Sequence, residues 1–239
     1  MNRLKIMNLV KLNYRIKNGS NFMQKILKYL IINYTEKDLE YIEEMIDKIE
    51  SISQEIMNFF ELKKIQNKIE VNLNSELDIF RKKYLETGYY LNDDDTIPKW
   101  ICGFSFDNKI ETLTLKEYQK TYNHKNANIN DLCYLILHEF CHACYDLVST
   151  CDDWYAWLNE GIATTISHQY DNKPLTFDIT LEEAIYGCQD YNNFHTMFVI
   201  IYQKYGKEYI LNLIKNYKLL ETETPKLITE TKKIIKEVS

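Results

Sequence analysis

Apolar residues recur every three or four positions between residues 35 and 60, the spacing of one face of an amphipathic helix. Thr35 is followed three residues later by Asp38, a pair that resembles a capping box and predicts the start of the helix. The apolar positions are Leu39, Ile42, Ile46, Ile49, Ile52, Ile56 and Phe60. The pattern predicts a helix through about Phe60 with these side chains against a core.

Four runs rich in β-branched and aromatic residues predict strands, at residues 28–34, 65–73, 100–106 and 110–115. The last two runs are separated by Asp107-Asn108-Lys109, which predicts a turn between them. Ser75 and Asp78 resemble the cap of a further helix that carries Leu77, Phe80 and Tyr84. From Asn130 onward the pattern is helical. Strands mixed with helices, followed by helices alone, predict an α+β fold with a mixed sheet packed on a helix.

Composition and charge narrow the class of protein. The chain has 239 residues, 45% of them hydrophobic, and only six glycines and three prolines, so we expect one packed core without a linker. A net charge of −6 disfavours nucleic-acid binding. The longest apolar runs, such as residues 197–202, are too short to cross a bilayer, and residues 1–22 lack the apolar stretch of a secretion signal. We therefore expect a cytoplasmic protein with no membrane span.

The most informative residues lie in the segment Leu137-His138-Glu139-Phe140-Cys141-His142. On a helix, His138 and His142 lie one turn apart on the same face and can bind a single zinc ion. Glu139 is rotated by about 100° from His138, so its carboxylate is better placed for proton transfer than for metal binding. The pattern predicts a catalytic metal site.

A second motif, Trp157-Leu158-Asn159-Glu160-Gly161-Ile162-Ala163, follows downstream. Together the two motifs resemble those of zinc metallopeptidases of the gluzincin branch, in which the glutamate of the second motif completes the metal site. The resemblance implies one Zn²⁺ ion held by His138, His142 and Glu160, with Glu139 as general base. Three ligands leave the fourth position open, as in catalytic rather than structural zinc sites.

The resemblance also implies a zincin-like fold. Residues 28–239 would form a single metallopeptidase domain, with a sheet-bearing lobe at 28–130 and the active-site helix and helical lobe at 131–239. In this family the last strand before the motif helix binds the substrate backbone at the edge of the cleft, which here implies residues 110–115. Residues 1–27 match no family element, and we consider that they could cover the cleft.

Further site residues follow from the same resemblance. Related peptidases stabilise the tetrahedral intermediate with a tyrosine or histidine from the helical lobe, and Tyr191 and His195, four residues apart, are the two candidates. The family often has an acidic residue four positions after the third ligand, where this chain has Thr164. Asp146, one turn after His142, could support a ligand histidine instead or could be an exposed helix charge.

The expected function is zinc-dependent hydrolysis of peptide bonds in a peptide or protein substrate. No Gly-x-Met-Glu-Asn segment precedes the motif helix, which favours an endopeptidase or small-peptide peptidase over an aminopeptidase. One alternative is a catalytically inactive zinc-binding interaction protein with the same fold. Another is a thiol-based site using Cys141 and Cys144, although six cysteines in a chain of this length are more typical of reduced, buried side chains.

Overall fold

Six strands form one mixed sheet in the computed structural model, which describes residues 15–17, 20–89, 96–121, 123–150, 155–187 and 190–238. The strands are β1 (Arg15–Lys17), β2 (Ser20–Ile26), β3 (Leu30–Tyr34), β4 (Ile69–Asn74), β5 (Gly103–Phe106) and β6 (Lys109–Leu113). Across the sheet their order is β1-β2-β3-β4-β6-β5. β4 pairs in parallel with both β3 and β6, whereas the remaining neighbours are antiparallel.

Eight helices accompany the sheet in the described part of the chain. They are α1 (Leu39–Phe59), α2 (Leu77–Leu85), α3 (Leu115–Tyr118), α4 (Ile129–Val148), α5 (Ala156–Ile166), α6 (Leu181–Tyr186), α7 (Tyr191–Lys215) and α8 (Tyr217–Val238). α4 contacts α1, α5, β5 and β6, and α5 packs along α7. The fold is α+β, as the sequence predicts. None of the helices described is long and apolar enough to span a lipid bilayer.

The start of α1 confirms the predicted capping box. Thr35 and Asp38 form reciprocal hydrogen bonds around a short 3₁₀ turn, Glu36–Asp38, that precedes the helix. The predicted apolar face is buried except for Leu39, which is 51% exposed and points away from the core although Tyr41 and Ile42 in the same turn are buried. The predicted cap at Ser75 is wrong, since Glu76 is the N-cap residue of α2 and makes no side-chain cap.

The turn between β5 and β6 forms as predicted, with Asp107 and Asn108 at φ values of 48° and 59°. These left-handed conformations are typical of the tight turns that join antiparallel strands. The expectation that residues 110–115 form the edge strand is wrong. β6 pairs with β4 on one side and β5 on the other, so β5 is the edge strand.

The end of the segment 1–27 belongs to the sheet. β2 pairs with β3, and Met23 and Leu27 are buried in the main core. β1 and β2 lie at the opposite edge of the sheet from β5. Residues 20–27 therefore extend the fold on the side away from β5, and residues 1–14 lie outside the described part of the chain.

Candidate metal centre and cleft

Three predicted metal ligands converge between α4 and α5. His138 and His142 are one turn apart on α4, and their Nε2 atoms are 2.9 Å apart. Glu160 on α5 places its Oε2 atom 3.1 Å from Nε2 of His138 and 3.5 Å from Nε2 of His142. Among the residues described, this is the group of histidine, cysteine and acidic side chains whose ligand atoms are close enough to share a metal ion.

The three separations fit a tetrahedral zinc ion. Zinc bonds to nitrogen and oxygen are about 2.0–2.1 Å long, which puts neighbouring ligand atoms of a tetrahedron about 3.3 Å apart. Oε2 of Glu160 is buried and has no hydrogen-bond partner among the described residues. A buried carboxylate oxygen without a donor is costly, and a cation at this point would compensate it. The donor set, two imidazoles and a carboxylate, is that of catalytic rather than structural zinc sites.

The position of α5 depends on Gly161, which directly follows the third ligand. A Cβ atom at this position would lie 2.6 Å from the backbone oxygen of Phe194 and 2.8 Å from Cβ of Phe198, both on α7. Only glycine therefore allows α5 to approach α7 this closely. The glycine of the second motif is therefore explained by packing, and the close contact between α5 and α7 sets the position of Glu160.

Asn159 orients His142, a role that sequence reasoning missed. The Nδ1–H group of His142 donates a short hydrogen bond to Oδ1 of Asn159, so Nε2 is the ring nitrogen that faces His138 and Glu160. The side chain of Thr164 instead donates to the backbone oxygen of Glu160, and no hydrogen bond joins Asp146 to either histidine in the described residues. The sequence signal that could have indicated this role is the position of Asn159, immediately before the predicted third ligand.

Electrostatic coupling in the ligand group is strong. Burial acts to raise the pKa of Glu160, but the two nearby imidazoles outweigh it and lower the pKa to about 2. Burial acts to lower the pKa of His142, but the Glu160 and Glu139 carboxylates and the bond to Asn159 raise it to about 9. At neutral pH the ligand group therefore pairs an ionised carboxylate with a protonated imidazole, and a metal ion would displace that proton on binding.

Glu139 lies beside the ligands and faces the same cleft. Burial raises the pKa of its carboxyl group, and attraction to His142 and His138 offsets part of this effect. Gly103 on the edge strand β5 lies over the stem of Glu139, and a Cβ atom at Gly103 would be 3.2 Å from Leu135 and 3.4 Å from Cγ of Glu139. The backbone of Ser105 lies close enough to the Glu139 carboxylate to offset a further part of this rise in pKa. The edge strand and the predicted base are therefore in direct contact.

A cleft of about 530 Å³ opens over the metal ligands and Glu139. Its walls are mostly aromatic, contributed by Tyr84, Tyr89, Trp100, Phe104, Tyr186 and Tyr191. The rings of Tyr191 and His138 have centroids 6.1 Å apart. A smaller pocket of about 240 Å³, next to α2 and α3, contains no part of the metal-ligand group. The large cleft is the place where a substrate could reach the ligands.

The second candidate donor, His195, is placed differently from Tyr191. Its side chain is buried, its Nδ1 atom is 2.9 Å from Oγ1 of Thr165, and it does not line the cleft. Burial lowers the pKa of this imidazole, which keeps it neutral at pH 7. Of the two candidates, Tyr191 alone lines the cleft.

The described cysteines are free thiols buried in the protein: Cys102, Cys133, Cys141 and Cys144. Burial raises the pKa of the Cys141 thiol well above its usual range and has the same effect on Cys144. Thiolates are the form that binds metals and reacts with oxidants, so these two side chains are poorly suited to either role.

Comparison with protein families and with curated proteins found no match to this chain.

Proposed function

We propose that this protein is a zinc-dependent metallopeptidase of the gluzincin type, with a zincin-like fold. The observation that carries the proposal is the convergence of His138, His142 and Glu160 at tetrahedral spacing, with Glu139 beside them in an open cleft. When bound, zinc supplies Lewis acidity, which would polarise a peptide carbonyl and lower the pKa of water so that it can lose a proton near neutral pH.

Glu139 would act as the general base. It accepts a proton from the attacking water as the new C–O bond forms, and it delivers that proton to the amide nitrogen as the C–N bond of the tetrahedral intermediate breaks. The carboxylate is then ready for another cycle. Its raised pKa makes it a better proton acceptor than an exposed glutamate, and it lies in the cleft beside the edge strand β5.

The edge strand β5 would bind the substrate backbone. All four residues of β5 lie opposite residues of β6, and the bond from the Leu113 N–H to the Cys102 carbonyl makes Phe104 and Phe106 the hydrogen-bonded ones. Because hydrogen-bonded pairs alternate along an antiparallel ladder, the backbone groups of Gly103 and Ser105 point away from β6. The backbone oxygen of Ser105 accepts a hydrogen bond from the Tyr89 hydroxyl, so an extended peptide that adds to this edge as a further strand would pair with Gly103 or displace Tyr89. Tyr191, across the cleft, would donate a hydrogen bond to the negative oxygen that develops during attack.

The proposal is tested by metal analysis of the purified protein together with cleavage of a peptide library, with and without a chelator. We expect about one zinc ion per chain and chelator-sensitive cleavage. Glu139→Gln should keep the zinc and lose at least about 100-fold in turnover, since proton transfer contributes 10²–10⁴-fold in enzymes of this kind.

A catalytically inactive zinc-binding interaction protein remains the alternative, and the same experiment separates the two. That protein would contain zinc and bind peptides but cleave none of them. Unchanged turnover in Glu139→Gln would contradict the mechanism, and a purified protein that takes up no zinc would contradict the site.

A further inference from the structure

The cleft contains one carboxylate that the proposed reaction does not use. Asp146 lies on α4 one turn after His142, is exposed to solvent and lines the cleft. The acidic residues of the cleft are Glu139, Glu160 and Asp146, and no lysine or arginine is found among the described residues that line it. The cleft is therefore acidic, and Asp146 is the carboxylate in it that neither binds metal nor transfers a proton.

Asp146 is not required to orient a metal ligand. Of the two ring nitrogens of His142, Nδ1 is bonded to Asn159 and Nε2 faces His138 and Glu160. Neither nitrogen is left for Asp146. Burial raises the pKa of Asp146 and attraction to His142 offsets part of that rise, and no lysine or arginine forms an ion pair with it in the described part of the chain.

The surroundings of Asp146 suit a long cationic side chain. Burial raises the pKa of the Tyr89 phenol to about 12, and the nearby negative charges of Asp146 and Glu139 add to this effect. The hydroxyl of Tyr89 donates a 2.8 Å hydrogen bond to the backbone oxygen of Ser105, so its ring stands beside the edge strand. The ring of Tyr84 packs against it, with centroids 6.1 Å apart. Aromatic faces attract ammonium and guanidinium groups and cover their apolar stems.

The distances along α4 and along an extended peptide also allow a peptide side chain to reach Asp146. Four residues of helix rise about 6 Å, so Asp146 is about that far along α4 from His142. Successive residues of an extended peptide are about 3.3 Å apart. A peptide lying along β5 would therefore bring a side chain within two residues of the scissile bond next to Asp146.

We propose that Asp146, with Tyr84 and Tyr89, forms a subsite for a lysine or arginine side chain of the peptide substrate, and that Asp146 determines this specificity. The inference rests on the proposed peptidase function, because it names the substrate of the same cleft. A free amino terminus has the same charge, but Asp146 is a full helical turn from the ligands, which favours a side chain.

Binding is measured first, so that the result does not depend on catalysis. Zinc-loaded Glu139→Gln protein is titrated with fluorescent peptides that are acetylated and amidated and differ at one position, lysine, norleucine or glutamate. We expect the lysine peptide to bind at least about tenfold more tightly than the glutamate peptide, the effect of one charged hydrogen bond. Adding Asp146→Asn should remove most of the difference, and Asp146→Lys should reverse it. Asp47→Asn, an exposed aspartate on α1 outside the cleft, is the matched control.

Equal affinity for the three peptides, tighter binding of the glutamate peptide, or no binding of any of them would overturn the inference. It would also be overturned if only peptides with a free amino terminus bound. The wild-type protein is then assayed with the same peptides. Lysine-selective binding without cleavage would contradict the proposed peptidase function while leaving the subsite intact. Cleavage of the three peptides without a charge preference would support the peptidase function and contradict the subsite.

Discussion

The two faces of α4 differ in what they contact, although nearly every side chain on both is buried. One face packs into the main core and consists of Cys133, Ile136, Leu137, Phe140, Cys141 and Cys144. The other carries His138, Glu139, His142 and Asp146 towards the cleft. Burial of the first face stabilises the fold, whereas burial of the second places polar groups in a poorly solvated site, which costs stability unless each is compensated. One helix therefore both anchors the core and holds the reactive groups at fixed positions.

The sharpest test of this comparison uses two adjacent residues, His142 and Cys141. We expect His142→Ala to abolish stoichiometric zinc binding, because it removes one of three ligands, and to abolish cleavage with it. Cys141→Ala removes a side chain from the opposite face and should keep full zinc content. Metal analysis after dialysis measures both variants. Loss of zinc in Cys141→Ala, or on alkylation of the thiols in the folded protein, would instead support a thiol-based site.

A second test addresses the core face. Phe140 is fully buried, and Phe140→Ala should lower the free energy of unfolding by about 3–5 kcal/mol, the usual cost of deleting a buried phenylalanine ring. Leu147→Ala, on the same helix but 48% exposed, should change it by less than about 1 kcal/mol. Urea unfolding of both variants checks the difference. Similar losses for the two would mean that α4 does not anchor the core.

A third test concerns the group across the cleft from α4. Tyr191→Phe should lower kcat by about 10²–10³-fold at intact zinc content, as expected for the loss of a donor to a developing oxyanion. Tyr209→Phe is the control, since Tyr209 lies in α7 beyond its break at Gly206 and bonds to Glu223 rather than lining the cleft. Steady-state kinetics with one peptide measure kcat for both variants. Equal kcat values for wild type and Tyr191→Phe would show that Tyr191 lines the cleft without donating a hydrogen bond to the oxyanion.

The smallest expected effect comes from the residue that supports the ligands. Asn159→Ala should weaken zinc binding by about 10–100-fold, because His142 loses the acceptor that fixes its ring. Asn159→Asp keeps an oxygen at this position and should restore most of the affinity. Competition with a chromophoric chelator measures the dissociation constants. Wild-type affinity in the alanine variant would show that packing alone orients His142.

Much of the local structure was predictable because it depends on residues close in the chain. The capping box at Thr35 and Asp38 and the turn at Asp107 and Asn108 follow from short-range hydrogen bonding and backbone preference. The prediction for residues 110–115 failed because the place of a strand in a sheet depends on which distant strands pair with it. The role of Asn159 was missed for a similar reason, since a hydrogen bond between two helices leaves no periodic pattern in the sequence.

The pattern of residues along the chain was enough to predict the α+β class and the helix that carries His138, Glu139 and His142, and the resemblance of the second motif added Glu160 as the candidate third ligand. Helical periodicity is a property of the local backbone, so spacing alone predicts which side chains share a face. Three features could be seen in the folded molecule alone: Glu160 meets the two imidazoles, β5 rather than β6 borders the cleft, and Tyr191 rather than His195 lines it. These relations depend on how α4, α5 and the sheet pack together, and packing is set by contacts between residues far apart in the chain.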